Sequence, residues 1–328
     1  MTARRLSGSA AEPDVSAARG YPPGGGGSAA ASHVLLIQPN SFRFNPQTGA
    51  TNAFQEEVSS DEARALAGQA VIQHGKLCDL LLENGVTVTL TRSLDSTPDG
   101  PFCNNWFSTH QGESGRTLVL YPMLAENRRP ERRRDLIDLL SAEYPNVVDY
   151  SGRERDGAYL ESTGSLVIDH RHRVAYAALS PRTDRAVAED WAREMGYDLV
   201  TFRAADSGGT PYYHTNVVMF IGHGVAGVAL ETIGSAEERS AVEHRLRSGG
   251  NVVIELTRDQ VNEYCGNCLA LAAGSGDPLF VMSSRAWRGF TLAQQKVLES
   301  YGRILHTDLS AFEKLGGGSA RCLIGELF

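Results

Sequence analysis

Five times along this chain a helix-forming stretch is followed, after a glycine or a short turn, by a run rich in β-branched residues. Asp61 to Glu83 precedes Gly85 to Leu90, Pro130 to Ala142 precedes Asn146 to Tyr150, and Thr183 to Met195 precedes Gly196 to Phe202. Ser235 to Ser248 then precedes Gly250 to Leu256, and Thr291 to Ser300 precedes Gly302 to Thr307. The strand runs begin near positions 86, 147, 198, 251 and 303, so they stand 61, 51, 53 and 52 residues apart. Unrelated segments do not keep such a period, and a repeated supersecondary unit does. Further strand-like runs lie between the copies: Thr117 to Leu120, Ser165 to Asp169, Val174 to Ala178, Asn216 to Ile221, Val225 to Leu230 and Leu279 to Met282. Each unit therefore holds one helix and several strands, which makes this an α/β chain. A doubly wound sheet would place a Gly-x-Gly-x-x-Gly loop directly after an early strand, and the glycines at 24 to 27 instead precede the first strand, His33 to Gln38. The repeat favours a closed ring of five units whose loops converge on the axis.

Of the 328 residues, 41% are hydrophobic and 21% charged, which suits a globular protein with a sizeable core. Residues 1–32, rich in Gly, Pro, Ala and Ser, read as a disordered tail, with 33–328 as one catalytic domain. Met1-Thr2-Ala3-Arg4-Arg5 is not followed by the apolar core of a targeting signal. A net charge of -8 with both signs scattered argues against a nucleic-acid partner. The one dense basic run, Arg128 to Arg134, is interrupted by Glu131 and reads as a solvated helix start. No apolar stretch is long enough to span a membrane. Five cysteines in so long a chain do not suggest a disulfide scaffold, and a reducing cytoplasm is the expected location. The number of subunits is left open, a homo-oligomer included.

The loops after the repeated strands carry the chemistry. Cys322 follows Gly316-Gly317-Gly318-Ser319-Ala320-Arg321, where glycines permit the close approach a nucleophile's loop needs. A thiol requires a lowered pKa or an adjacent base to react. His214, between Gly208-Gly209-Thr210-Pro211-Tyr212-Tyr213 and the apolar run after it, is the best acid/base candidate, with His110 in reserve. His170 and His172 read as an exposed hairpin tip. Glu161, before Ser162-Thr163-Gly164, is placed to orient the histidine or bind a substrate nitrogen. Asn105 and Asn216 are neutral, so a guanidinium would find no paired charge at either, whereas a neutral amide or ureido group would fit. Cys265-x-x-Cys268 lacks two further zinc ligands nearby and reads as structural, with a reversible disulfide as the alternative. Neither a metal nor an organic cofactor is called for.

Phe102-Cys103-Asn104-Asn105-Trp106-Phe107-Ser108-Thr109-His110, Leu160-Glu161-Ser162-Thr163-Gly164-Ser165, Tyr213-His214-Thr215-Asn216 and the glycine run ending in Cys322 together resemble the arginine deiminase and amidinotransferase superfamily. The resemblance covers residues 33 to 328 and is nearest to the citrulline-utilisation hydrolase branch. It implies a five-bladed α/β propeller, the pentein fold, with Cys322 as nucleophile, His214 as acid/base and Glu161 as the assisting carboxylate. Arginine-processing relatives carry aspartates where this chain has Asn105 and Asn216. The resemblance also offers Arg182, in Ser180-Pro181-Arg182-Thr183, for a substrate carboxylate, with Arg321 as a second candidate and Asp99 for the substrate's amino group. Two places depart from the pattern: a proline is common where Cys103 stands, and a Phe-x-x-x-Met pattern where Tyr264 and Cys268 fall. The reaction expected on these grounds is hydrolysis of citrulline to ornithine, ammonia and carbon dioxide through a carbamoyl group on Cys322. The alternatives are a guanidine-modifying enzyme acting on arginine or a methylated arginine, and a non-catalytic propeller that binds partners.

Overall fold

The computed structural model describes residues 30–112 and 115–328, and among these fifteen strands form five separate three-stranded sheets. The strands are β1 (His33–Gln38), β2 (Thr87–Arg92), β3 (Phe107–Gly112), β4 (Gly115–Leu120), β5 (Asn146–Asp149), β6 (Val167–Asp169), β7 (Val174–Ala178) and β8 (Asp198–Phe202). They continue as β9 (Met219–Gly222), β10 (Val225–Val228), β11 (Val252–Glu255), β12 (Leu269–Ala272), β13 (Pro278–Ser283), β14 (Arg303–Thr307) and β15 (Ile324–Leu327). Five longer helices, α1 (Ser60–Glu83), α2 (Arg134–Glu143), α3 (Arg185–Met195), α4 (Ala236–Ser248) and α5 (Leu292–Tyr301), link the middle and outer strand of each sheet.

Every sheet has the same wiring. An inner strand runs antiparallel to the middle strand, as β3 does to β4, and the middle strand runs parallel to the outer one, as β4 does to β5. A parallel pair needs a crossover, and the helix supplies it. The helices begin where the chain offers an oxygen to free N–H groups: Ser59, Asp184, Ser235 and Thr291 each accept from a first-turn backbone N–H. Their apolar stripes then face the sheets, α1 burying Ala70, Leu77 and Leu81. Middle strands are covered on both sides, and all five residues of β7 are buried.

The ring closes through the chain ends. The inner strand of the first sheet is β15, paired antiparallel with β1 so that His33 faces Leu327 and Leu36 faces Ile324. Inner strands meet across blade boundaries, β15 against β3, β6 against β9 and β9 against β12. This is the five-unit α/β propeller, or pentein, that the repeat and the resemblance led us to expect.

Some local expectations differ from the structure: the runs expected as strands from Ser165 and Asn216 begin on helical turns, and β6 and β9 start only at Val167 and Met219. The run Phe107 to His110 is not a loop but the start of β3. β12 and β15 carried no recognised signal, because each is only four residues long and is specified by its partners rather than by its own pattern. The expected tail lies outside the described residues except for Ala30, Ala31 and Ser32, which are integrated: Ala31 is buried, its carbonyl accepts from Ala272, and that of Ser32 accepts from Thr87. No helix among the described residues is long and apolar enough to cross a membrane.

Candidate active site

Before four of the five inner strands, β3, β6, β9 and β15, the chain makes a short helical turn, and the chemical groups sit on or beside these turns. Asn105 ends a 3-10 turn (Cys103–Asn105), Glu161 and His214 are the residues before the turns Ser162–Ser165 and Thr215–Val218, and Cys322 lies in the turn Ala320–Leu323. Hydrogen bonds lock neighbouring turns together. Thr215 Oγ1 donates to Ser165 O at 2.5 Å while accepting from Ala178 N, so the Glu161 and His214 loops are held in fixed register. The glycine run before Cys322 does what its composition suggests: Gly317 closes the preceding helix in the left-handed region, with φ of 59°.

Cys322, His214, Arg182, Asp99 and Asn105 line one cavity, shared with Thr48, Gln55, Tyr213 and Arg128. Glu161 stands behind His214, fully buried, with Oε2 at 2.8 Å from Nε2 of the histidine and 3.5 Å from Arg182 Nη1. Its other oxygen accepts from Leu124 N. Burial alone would raise this carboxyl's pKa, but Arg182, the His214 hydrogen bond and Arg128 carry it down to about 2. Burial lowers His214 to about 4 against the pull of Glu161. At neutral pH the pair is therefore a carboxylate accepting from a neutral imidazole, which leaves the Nδ1 lone pair of His214 available for a proton. Burial pushes the Cys322 thiol above its ordinary value, opposed by donors around the sulfur, of which Asn267 is the strongest.

Arg182 is buried, and its guanidinium is already engaged. It donates to Thr48 O at 2.8 Å and Thr51 Oγ1 at 2.8 Å, and lies over the Tyr213 ring. It thus ties Glu161 to the segment after β1. That segment closes over the cavity: Asn52 and Gln55 both donate to Gly316 O. Asp99 accepts from Asn45 and Thr48 through one oxygen, while its other oxygen, buried, has no partner.

Two expected residues sit elsewhere. Arg321 faces away from the cavity, pairs with Glu326 at 2.8 Å and donates to Ile324 O, because adjacent residues of a turn diverge and β15 supplies its carboxylate. It lines a second cavity on the far side of the Cys322 turn, with His170, Cys268 and Asn216. Asn216 stands in the wall between the two, its Nδ2 3.6 Å from Cys322 Sγ, so the two asparagines do not form one clamp. His110 is buried at the far end of its strand, bonded to Ser108 Oγ and packed on Trp191. His170 packs on Phe328 rather than forming a free hairpin tip with His172. Cys265 and Cys268 are both buried free thiols.

Other site residues escaped the sequence reading. Arg128 is not solvated but 2% exposed, forked onto both oxygens of Glu131 at 2.8 and 2.9 Å, with Nη1 donating to Asn105 Oδ1 at 2.9 Å. Arginine only donates, so this bond fixes the Asn105 amide with its Nδ2, buried and unpartnered, as the free donor. Gly164, just before β6 in the third blade, lies against the site, where a Cβ would stand 2.6 Å from Asn105 Nδ2 and 2.7 Å from the His214 ring. Asn267, inside the Cys-x-x-Cys segment, reaches Cys322 Sγ at 3.3 Å.

The fold and site can be set beside known proteins. The N-terminal domain of ArgZ, an arginine dihydrolase from the ornithine-ammonia cycle in cyanobacteria, superposes with a TM-score of 0.70 at 18% identity over 90% of this chain and 97% of that one. The chain covers only 40% of full-length ArgZ. A dimethylarginine dimethylaminohydrolase carrying an S-methyl-L-thiocitrulline adduct superposes at 0.63 with 16% identity, over 90% of this chain and all of that one. At such identities the likeness is one of fold. No curated protein sequence matches significantly. The family profile described as N,N dimethylarginine dimethylhydrolase, eukaryotic, matches residues 38–328. The chain thus belongs to the N,N dimethylarginine dimethylhydrolase family, within the pentein superfamily of arginine deiminases and amidinotransferases, and is a hydrolase of carbon–nitrogen bonds.

Proposed function

We propose that the chain hydrolyses a carbon–nitrogen bond at the guanidino carbon of arginine or an N-methylated arginine, with Cys322 as nucleophile. The observation that carries this reading is the electrostatics of the cavity. Burial keeps the Cys322 thiol protonated, and the surrounding wall holds an ionised Glu161 and an unpartnered acceptor on Asp99. A guanidinium supplies an N–H donor to the free Asp99 oxygen, and its positive charge beside the sulfur favours the thiolate. A neutral ureido group also carries N–H donors for Asp99 but brings no positive charge to the sulfur. The citrulline reaction expected from Asn105 and Asn216 therefore moves to second place, because Asn216 is in the dividing wall and carboxylates stand nearby.

In the proposed reaction His214 Nδ1 takes the thiol proton as Sγ bonds to the guanidino carbon, and the carbon–nitrogen π electrons move to nitrogen. His214 then gives that proton to the departing amine as the carbon–nitrogen bond breaks, leaving an amidino group on sulfur. A water, deprotonated by the same imidazole, adds to the carbon; the carbon–sulfur bond then breaks as the remaining hydroxyl proton leaves to solvent, giving a ureido product and a thiolate that takes back a proton from His214. Glu161 stabilises the imidazolium that forms twice in this cycle. Asp99 holds a guanidino N–H. Arg182 and Arg128 keep the carboxylates in place. The names of the matched family and of the structural relatives, a dimethylarginine hydrolase and an arginine dihydrolase, agree in substrate class with this reading.

A second reading, a ureido substrate, is favoured by one observation. The Asn105 amide, turned by Arg128, presents a buried donor without a partner. A carbonyl oxygen would satisfy it where a guanidinium nitrogen cannot. Purified protein incubated separately with arginine, N-methylated arginines and citrulline, with ureido product, methylamines, ornithine and ammonia measured, distinguishes the two. A ureido product from a guanidino substrate is expected; ornithine from citrulline with every guanidino compound inert would overturn the first reading in favour of the second.

A further inference from the structure

The segment Tyr264-Cys265-Gly266-Asn267-Cys268 invites attention for its two cysteines, yet the residue that reaches the site is the asparagine between them. Asn267 is 1% exposed, and every polar atom of its side chain is committed. Its Oδ1 accepts from Arg321 N at 3.0 Å, and its Nδ2 donates to Asn216 O at 3.0 Å and lies 3.3 Å from Cys322 Sγ. A backbone N–H can only donate and a carbonyl oxygen can only accept, so these two contacts fix the amide independently. With that orientation determined, the remaining N–H of Nδ2 is aimed at the sulfur. The phase of the repeat says the same. Asn105, Asn267 and Cys322 each stand two residues before an inner strand, β3, β12 and β15 respectively, and so occupy equivalent places around the axis.

We infer that Asn267 is the positioning residue of the Cys322 thiolate: its amide donates to the sulfur and holds the Cys322 turn by the Arg321 N–H. The inference rests on Cys322 being the nucleophile. The charged and titratable groups around the sulfur leave this task to neutral donors. Arg321, on the same turn, spends its charge on Glu326. The phenols of Tyr213 and Tyr264 are buried, with pKa values raised by that burial, and their hydroxyls donate to Gly317 O and Glu313 O. His214 and Glu161 form a closed pair. Asn216 approaches the sulfur at a longer distance, 3.6 Å. A buried thiolate without donors is penalised by desolvation, and a hydrogen bond to the charged form offsets that penalty. Among the influences that lower the Cys322 pKa against burial, the Asn267 bond is the largest.

The test reads the thiol itself, without turnover. The full chain and its Asn267→Ala and Asn267→Asp variants are alkylated with iodoacetamide from pH 6 to 10, and modification of the Cys322 peptide is followed by mass spectrometry. Asn267→Asp keeps the acceptor for Arg321 N and nearly the same shape, so it carries the test if alanine disrupts the fold; a thermal melt checks both variants. The expected result is a midpoint for Cys322 alkylation raised by about one pH unit in the alanine variant and further in the aspartate variant. Below the midpoint alkylation is then about tenfold slower, while the other four cysteines react unchanged. A folded aspartate variant with the parent's midpoint would overturn the inference. That outcome is separate from a failure of Cys322 as nucleophile, which a Cys322→Ala variant retaining parent activity would reveal.

Discussion

Replacing Glu161 by Gln removes one charge and little volume at the most heavily committed carboxylate of the site. Its oxygen lies 2.8 Å from His214 Nε2 and 3.5 Å from Arg182 Nη1. In the proposed cycle His214 becomes cationic twice inside a buried cavity. With an effective dielectric of about 20, a unit charge 2.8 Å from the imidazolium is worth about 6 kcal/mol, an upper figure because the amide still offers a dipole and water can enter. If half of that is lost in the transition state, the rate falls by about two orders of magnitude, within the range of general acid–base effects. The same change leaves Arg182 facing an amide, so stability should fall by about 3 kcal/mol, the lower end for breaking a buried pair. Steady-state kinetics with the best guanidino substrate, beside urea unfolding at the same pH, measures both. We expect kcat to fall at least 100-fold while KM moves less than fivefold, and Glu161→Asp to retain part of the activity. A folded Glu161→Gln enzyme within tenfold of the parent kcat would refute the role given to this carboxylate.

Arg128→Ala should destabilise the protein by about 3–5 kcal/mol, because it strands Glu131 as an unpaired buried carboxyl; urea unfolding reads this directly. Gly164→Ala should leave the fold intact but cut kcat at least tenfold, since the new Cβ would displace the His214 ring or the Asn105 amide; kinetics beside a thermal melt separates the two effects. Acid should weaken the fold in two stages. His74 and His214, held neutral with pKa values near 4, leave the unfolded chain to bind protons first, so stability falls as pH drops from 6.5 toward 4. Each contributes about 2 kcal/mol of loss by pH 5. Glu161, lowered to about 2, adds a further loss only below pH 4.5, as the unfolded carboxyl protonates while the native one does not. Urea midpoints from pH 7.5 to 4 should trace that order, and a midpoint unchanged between pH 7.5 and 5 would contradict it.

The helices and outer strands were readable because their signals are local: capping residues, apolar stripes and β-branched runs recurring at a steady interval. The inner strands were not. β15 is set by pairing with β1 at the opposite end of the chain, and nothing within Ile324 to Leu327 announces that partner. The site shows the same division. Cys322, His214, Glu161, Arg182, Asp99 and Asn105 could be named from motif and phase, and the fold gathers them at one cavity or directly behind it. Arg321 could not be separated from Cys322 by sequence, since the difference is which side of one turn each side chain leaves. Arg128 was hidden among surface arginines, although Glu131 three residues on was a usable sign of an internal pair. Asn267 was masked by its flanking cysteines, yet its distance from the next strand is the same as that of Asn105 and Cys322, and the repeat could have found it.

The proposed reaction passes through a covalent bond to Cys322, and trapping that bond tests it most directly. The enzyme is mixed with an excess of the guanidino substrate it turns over, quenched in acid during turnover, digested and examined by mass spectrometry. An amidino mass increment is expected on the peptide carrying Cys322, absent from Cys322→Ala and longer-lived in Glu161→Gln. Undiminished turnover in Cys322→Ala, or an increment on Cys103, Cys265 or Cys268 instead, would contradict it.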